Sequence, residues 1–421
     1  MATGVVRKYY PQWRALLEDQ AGKFGLCLFL LLLIDALANP YAGIVHDARL
    51  YAVQALSHLY PQRFARDLFF LHGSQDSFSL FSTIHAGIIA AFGLHYGSWL
   101  LYLASRLLLY GGILFSFRRL FRDNVLAFIA CCLIAAGPAK YIFFEVNEPF
   151  LTPRLAAMGL SLFSLGLAYS KRNFLSVFLL STAGLLHPLM ALGPGMILGI
   201  FWLYKRQWSI IAGLVFTLIA ASAAMVLLRP QAMESLLLAT RFDQEWLAII
   251  RQRSSYLFPF NWSSDAWLTI GSGIGLVLLG LRCFDRQQRA FFLIITAVAA
   301  LGVLFTVADV AGPQWILPFQ LQPWRSFWVL QILSPAVACL ISRSLWRSGH
   351  FSDKLAGVLI AISFLLAGGA AASTAPWLLL AAILVSFPLF KEAALSTRAQ
   401  QCLLVGAVII LLLLPLPMIV G

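Results

Sequence analysis

Charge is what this chain has least of. Only 11% of its 421 residues are Asp, Glu, Lys or Arg, while 61% are hydrophobic. A soluble domain carries about 25% charged residues. A chain so short of charge cannot cover itself with water-facing side chains, so a free-standing soluble enzyme is excluded and most of the surface must meet lipid or other apolar helices. Acids are scarcer than bases, 17 Asp and Glu against 30 Lys and Arg. Cysteine is rare too: Cys27, Cys131, Cys132, Cys283, Cys339 and Cys402 all fall in or beside apolar runs, and none has CxxC spacing. That argues against both a disulfide framework and a thiolate metal site, and leaves small buried side chains. Alternating strands of the kind a membrane barrel needs are missing, as is any polar linker to a separate soluble domain.

What recurs instead is the apolar run of about 17 to 25 residues, the length at which a helix crosses a bilayer. The reading is an all-α polytopic membrane protein of about 11–13 transmembrane helices, with candidate spans from 24–40 and 98–117 through to 376–390 and 402–420. The first run ends in DALAN, and Ala36-x-Ala38 resembles a signal-peptidase site. The long polar leader and Asp35 make it an uncleaved span. The net charge of +13 marks cytoplasmic loops rather than a nucleic-acid partner, because basic residues are retained on that side.

Orientation follows from the basic clusters. Arg7, Lys8, Arg14 and Lys23 precede the first span, Arg118, Arg119 and Arg122 follow the second, and Lys171/Arg172, Lys205/Arg206, Arg282/Arg286/Arg289 and Arg343/Arg347 come later. All share one face only if 41–97 lies wholly on the other. The apolar stretch 78–97 is then a helix lying at the outer surface, not a span, and the first outer loop carries two helices, near 48–59 and 79–93. The expected organisation is a cytoplasmic segment 1–23, a transmembrane module 24–343 with outer loops 41–97, 140–153, 229–265 and 309–325, and C-terminal scaffold helices 344–421.

That outer face gathers the acids, Asp47, Asp67, Asp76, Glu145, Glu148, Glu234, Asp243, Glu245, Asp265 and Asp309, with His46, His72, His85, His95 and His187. Titratable groups beside a membrane carry a desolvation cost, which points to use. Asp47, in GIVHDARL, is the sharpest candidate. It stands where it could cap a helix and where it could take a proton from a hydroxyl. Asp76 and Asp67 are second candidates, Asp76 alternatively a helix cap in a polar turn. Glu145 and Glu148 share a face if their loop is helical. Lys140, Arg154 and Arg325 sit at outer span ends, as lipid anchors or as clamps for a phosphate. His187 is either a helix-hairpin turn or a ligand contact. Tyr51, Trp262, Trp315 and Trp324 could stack on sugars or form an interfacial aromatic belt. Asp35 and Arg106, at similar depth in their spans, are expected to pair.

The layout resembles the GT-C superfamily of integral-membrane glycosyltransferases, such as protein O-mannosyltransferases and lipid A aminoarabinose transferases. The likeness covers roughly residues 20 to 210: a first span, a large outer loop with an early acid and two surface helices, an arginine-bearing span ending in RRLF, then hairpins with TPR and HP. The resemblance implies a sugar donor on a polyprenyl phosphate, membrane lipids as partners and a hydroxyl acceptor. Asp47 would be the catalytic acid of the first outer loop, acting as base in an inverting transfer, with Asp76 and Glu148 as further candidates. The phosphate would leave toward Arg154, Arg325 and Lys140, with His46, His187, Tyr51 and Trp324 also lining the substrate. Family members often carry two adjacent acids where this chain has His46–Asp47, so no metal and no other cofactor is indicated. The implied location is a bacterial inner membrane with the site on the periplasmic face. A transporter, a lipid flippase or a non-catalytic scaffold for envelope polysaccharide assembly are the other classes compatible with the composition.

Overall fold

The computed structural model describes residues 22–71, 75–137, 140–141, 144–215, 240–347 and 351–366. Most of segment 1–23, His72, Glu234, Cys402 and the expected spans 376–390 and 402–420 lie outside them, as does most of 209–228. The described chain is all-helical apart from one two-residue antiparallel ladder, Lys140–Tyr141 (β1) with Phe144–Glu145 (β2). After α1 (22–38) come α2 (Asp47–Leu59), α3 (Phe81–Phe92), α4 (Leu94–Phe121), α5 (Asn124–Ala136), α6 (Pro153–Tyr169), α7 (Asn173–Leu186) and α8 (Pro188–Tyr204). Then follow α9 (Gln244–Arg253), α10 (Ser264–Gly280), α11 (Arg286–Ala311), α12 (Phe327–Arg347) and α13 (Phe351–Leu366).

Among the described residues, three helical stretches are long and apolar enough to cross a membrane: Leu94–Phe121, Arg286–Ala311 and Ile316–Arg347. Several others are apolar but short, among them α5, α7, α8 and α10. The stretch 78–97 does not form one long helix. It breaks at Gly93, whose φ of 77° is open to glycine at no steric cost. That leaves α3 at 12 residues, about 18 Å against a hydrocarbon core of about 30 Å. α3 lays Phe81, Ser82, His85, Ala86 and Ile89 against its neighbours and packs between α2 and α4. Polar contacts pin this arrangement: Ser82 Oγ donates to Gln54 Oε1 (3.3 Å), and His85 Nε2 meets Ser98 Oγ (3.0 Å).

The centre of the bundle is α6, where every residue but Phe163 is buried. It lies directly on α4 and α7. Small residues make this possible: a Cβ on Gly159 would stand 2.4 Å from the Leu108 carbonyl, and one on Gly112 would stand 2.3 Å from the Gly159 carbonyl. Between apolar helices association rests on close packing and on interhelical hydrogen bonds, and glycine brings the backbones together. The α6–α7 contact adds such bonds: Ser164 Oγ donates to the Ser176 carbonyl (2.7 Å) and Ser176 Oγ to the Ser164 carbonyl (2.8 Å).

Asp35 and Arg106 do pair, Nε to Oδ2 at 3.2 Å, with both side chains buried. Tyr110 donates to Asp35 (2.8 Å), Asn39 donates to it as well (3.1 Å), and the Tyr102 hydroxyl accepts from Arg106 (2.8 Å). Such further hydrogen bonds are what a buried ion pair depends on, and here they leave only Arg106 Nη1 of the pair without a partner among the described residues.

The bundle has two chemically different ends. At one, Gln287 donates to the Tyr169 carbonyl, Gln288 to the Leu120 carbonyl, Trp202 to Asn173, and Arg343 pairs with Asp123. This basic end collects Arg118–Arg122, Lys171/Arg172, Lys205/Arg206 and Arg282–Arg289. At the other, the head end, Ala42 donates to the Pro149 carbonyl, Leu80 to Leu185 and Ile316 to Thr240. Gly159→Ala is expected to destabilise the fold by about 1–3 kcal/mol through overpacking. Gly271→Ala, where nothing lies within 4 Å, should be neutral or slightly stabilising. Thermal unfolding of the two variants in detergent checks the pair, and equal melting temperatures would refute the close approach.

Candidate functional site

Four segments meet at the head end. The start of α2 supplies Asp47, the loop before α6 supplies Glu148, the first turn of α6 supplies Arg154, and the turn Pro323–Ser326 supplies Arg325. Pro153 takes the first position of α6, where its missing N–H is not needed. That fixes Arg154 one residue further on, buried, at the positive end of the helix.

Arg154 Nη2 lies 2.8 Å from Asp47 Oδ2 and 2.7 Å from Glu148 Oε1. One guanidinium nitrogen thus holds two carboxylates from segments distant in sequence. Thr152 Oγ1 donates to the other oxygen of Glu148 (2.6 Å). The two acids differ in access: the Asp47 side chain is 36% exposed and that of Glu148 is 5% exposed. Asp47 does not cap α2. His46 holds the N-cap position, no side-chain cap bond forms there, and His46 Nδ1 lies 3.0 Å from Asp47 Oδ1. The His46 ring is stacked on Phe150 (5.3 Å) and its φ is 48°.

Tyr51, one turn along α2, is buried against Phe81. Burial pushes its hydroxyl above the ordinary phenol value; Arg154 and Arg325 oppose this shift, and Asp47 and Glu148 add to it. Tyr51 therefore stands among all four charges as a neutral donor. His187 occupies the turn between α7 and α8, outside both helices, and its Nδ1 accepts from the Met190 amide (3.3 Å). Burial pushes its pKa down to about 3, with Arg325 and Arg154 acting in the same direction. The ring is neutral, and with Nδ1 accepting, its proton sits on Nε2. Arg325 is buried, donates to Gln322 Oε1 and lies over the Trp324 ring.

The structure thus gathers Asp47, Glu148, Arg154, Tyr51, His46, His187 and Arg325, and it leaves out other expected members. Asp76 pairs with His58 (2.6 Å) at the far end of α2, 11 residues and about 16 Å along the helix from Asp47. Trp324 is fully buried, with Tyr256 and Trp262 at its edges. Its ring has no face open to a sugar; it supports Arg325 instead. Glu145 and Glu148 do not share a helical face, because Glu145 belongs to β2 and Glu148 to the loop beyond it. Lys140 is placed opposite Glu145 in the ladder, and its side chain lies outside the described residues. Asn147 was not foreseen. Its Nδ2 donates to the carbonyls of Ile134 and Gly137, its Oδ1 is 3.0 Å from the Tyr110 hydroxyl, and its carbonyl accepts from Arg106. It ties the Asp35–Arg106 pair to the loop carrying Glu148. The one sequence signal was a lone Asn beside an acid in an apolar stretch, where an intramembrane pair needs partners. Among the described residues no group of three or more His, Cys, Asp or Glu side chains is arranged to hold a metal ion.

Removing one partner of a buried ion pair costs about 3–5 kcal/mol, because the other charge is stranded. Arg154→Met should therefore destabilise strongly, and adding Glu148→Gln should recover most of the loss. Denaturant unfolding of the double-mutant cycle measures the coupling, and additive losses would contradict the shared guanidinium. The lowered pKa of His187 sets a second expectation. Between about 3 and the ordinary 6.5 or so the unfolded chain binds a proton that the folded chain does not. Stability should fall as pH drops below 6.5. His187→Asn should flatten the pH dependence of the melting temperature between about pH 7 and 4; an unchanged slope would count against the neutral ring.

Set beside known proteins, the chain matches no family model, no curated protein and no solved structure, so the case for an activity rests on this constellation.

Proposed function

We propose that the protein is a polytopic inner-membrane glycosyltransferase of GT-C type, moving a sugar from a polyprenyl-phosphate donor to a hydroxyl acceptor at the head end of the bundle, on the periplasmic face. The observation that carries this reading is Asp47: a carboxylate one-third open, oriented by a buried guanidinium, at the end of an apolar bundle away from its basic clusters. A base needs access to the proton it takes, and of the two acids on Arg154 only Asp47 has it.

In the proposed reaction Asp47 accepts the proton of the acceptor hydroxyl as that oxygen attacks the anomeric carbon. The bond from that carbon to the phosphate oxygen breaks, the electron pair leaves with the polyprenyl phosphate, and the configuration inverts. Arg325, Arg154 and Lys140 supply positive charge to the departing phosphate. Preorganised charge of this kind is commonly the largest contribution to rate. Arg154 is engaged by two carboxylates in the resting protein, so an arriving phosphate competes for it. Sharing that cation loosens its hold on Asp47 as the donor binds. Tyr51 and the Nε2–H of His187 are neutral donors available to sugar or phosphate oxygens.

The test is Asp47→Asn in a strain lacking the chain, with lipid-linked sugars and glycans followed by mass spectrometry. The variant should fold, because Glu148 still pairs with Arg154 (2.7 Å) and the Asn side-chain oxygen can still accept from it, and should transfer at least about a hundredfold more slowly, so that donor accumulates. Asp76→Asn should transfer normally, since Asp76 belongs to a different pair. A folded Asp47→Asn protein with near-normal transfer would overturn the assignment.

A further inference from the structure

At the basic end, Arg118, Arg119, Arg122, Asn124, Tyr169 and Ser170 line a cavity of about 380 Å³. The three arginines occupy the last turn of α4 and its C-cap, where φ of Arg122 is 53°. Arg118 Nε donates to Asn124 Oδ1 (2.7 Å), which holds the rim of the cavity in shape. Arg119 lies over the Phe115 ring (5.2 Å). Arg119 and Arg122 are exposed, and neither side chain makes a hydrogen bond or ion pair with any described residue.

Tyr169 makes this more than a patch of surface charge. The residue lines the cavity and is 4% exposed, its ring packs against Phe291 (5.4 Å), and its buried hydroxyl has no hydrogen-bond partner among the described residues. A buried hydroxyl left unpaired is unfavourable, and such groups call for an explanation. The nearby carboxylates are engaged elsewhere: Asp123 binds Arg343 and the amides of Val125 and Leu126, and Asp285 caps α11 through the Gln288 amide (2.8 Å). Asn124 opens α5, so the positive end of a 13-residue helix borders the same space. Guanidinium groups, a hydroxyl and a helix N-terminus together present more donors than a carboxylate can accept, and they match the several oxygens and higher charge of a phosphate.

We propose that this cavity is a phosphate-binding site at the end of the bundle opposite Asp47. Its ligand carries a phosphate group, from a phospholipid headgroup or from a soluble polyphosphate. Arg119 and Arg122 supply the charge, and Tyr169 donates its hydroxyl from the cavity wall.

The experiment uses full-length protein in a neutral, phosphate-free detergent. It is titrated calorimetrically with inorganic pyrophosphate, and phospholipid adducts are read by native mass spectrometry. Arg119→Gln/Arg122→Gln should weaken binding at least about tenfold. Tyr169→Phe keeps the ring against Phe291 and should weaken it about threefold. Lys205→Gln/Arg206→Gln removes the same formal charge from the same end outside the cavity, and should change binding by less than about twofold. Pyrophosphate binding without a retained phospholipid assigns a soluble ligand; a phospholipid adduct lost in the arginine variant assigns a lipid headgroup. The proposal is overturned if neither signal depends on Arg119 and Arg122, or if the Lys205/Arg206 variant loses as much, which would reduce the cluster to diffuse charge.

Discussion

Arg154 places a positive charge in the first turn of a buried helix, at the end where the unpaired backbone amides are already positive. In an apolar bundle that charge is unfavourable alone, and two carboxylates converge on it from the start of α2 and from the loop before α6. The head end is organised around that requirement. α2 must begin where Asp47 can reach, and the 144–152 loop must turn Glu148 inward. The same requirement makes the cluster suited to chemistry, because one carboxylate is sealed and the other remains partly open.

A second ion pair lies deeper and serves the first. Asp35 and Arg106 are joined through Tyr110 and Arg106 to Asn147, the residue next to Glu148. A change in the helix register of α1 or α4 would therefore be felt at the head-end loop through hydrogen bonds. The close crossing of α4 on α6 at Gly112 and Gly159 makes such a slide unfavourable, since the backbones are already in contact. Packing thus holds the register, and the polar network transmits it to the acids.

The two ends of the bundle divide the charge of the molecule. At the head end acids and arginines neutralise one another in a half-closed cluster. At the basic end Arg119 and Arg122 border a cavity with a tyrosine hydroxyl that is unpaired among the described residues. The proposed roles follow this division: a nucleophile-activating carboxylate at one end, and donors for a phosphate at the other.

Composition alone determined that the chain is helical and apolar. The spacing of its basic clusters predicted that 78–97 would not form a long span. Gly93 and the 12-residue length of α3 agree with that, because a glycine able to adopt positive φ is a local property. The Asp35–Arg106 pair was legible too, since isolated charges in apolar runs have few possible partners. Only tertiary structure decided the rest. Asp47, Glu148 and Arg154 are separated by up to 107 residues, and no local pattern records which acid will share which arginine. Asp76 and Trp324 looked equivalent to true neighbours of the site in one dimension. Pairing with His58 took the first away, and burial under Trp262 closed off the second. Asn147 mattered because packing brings the end of α5 and the middle of α4 against it, and the sequence signal, a lone Asn beside an acid, named none of those partners.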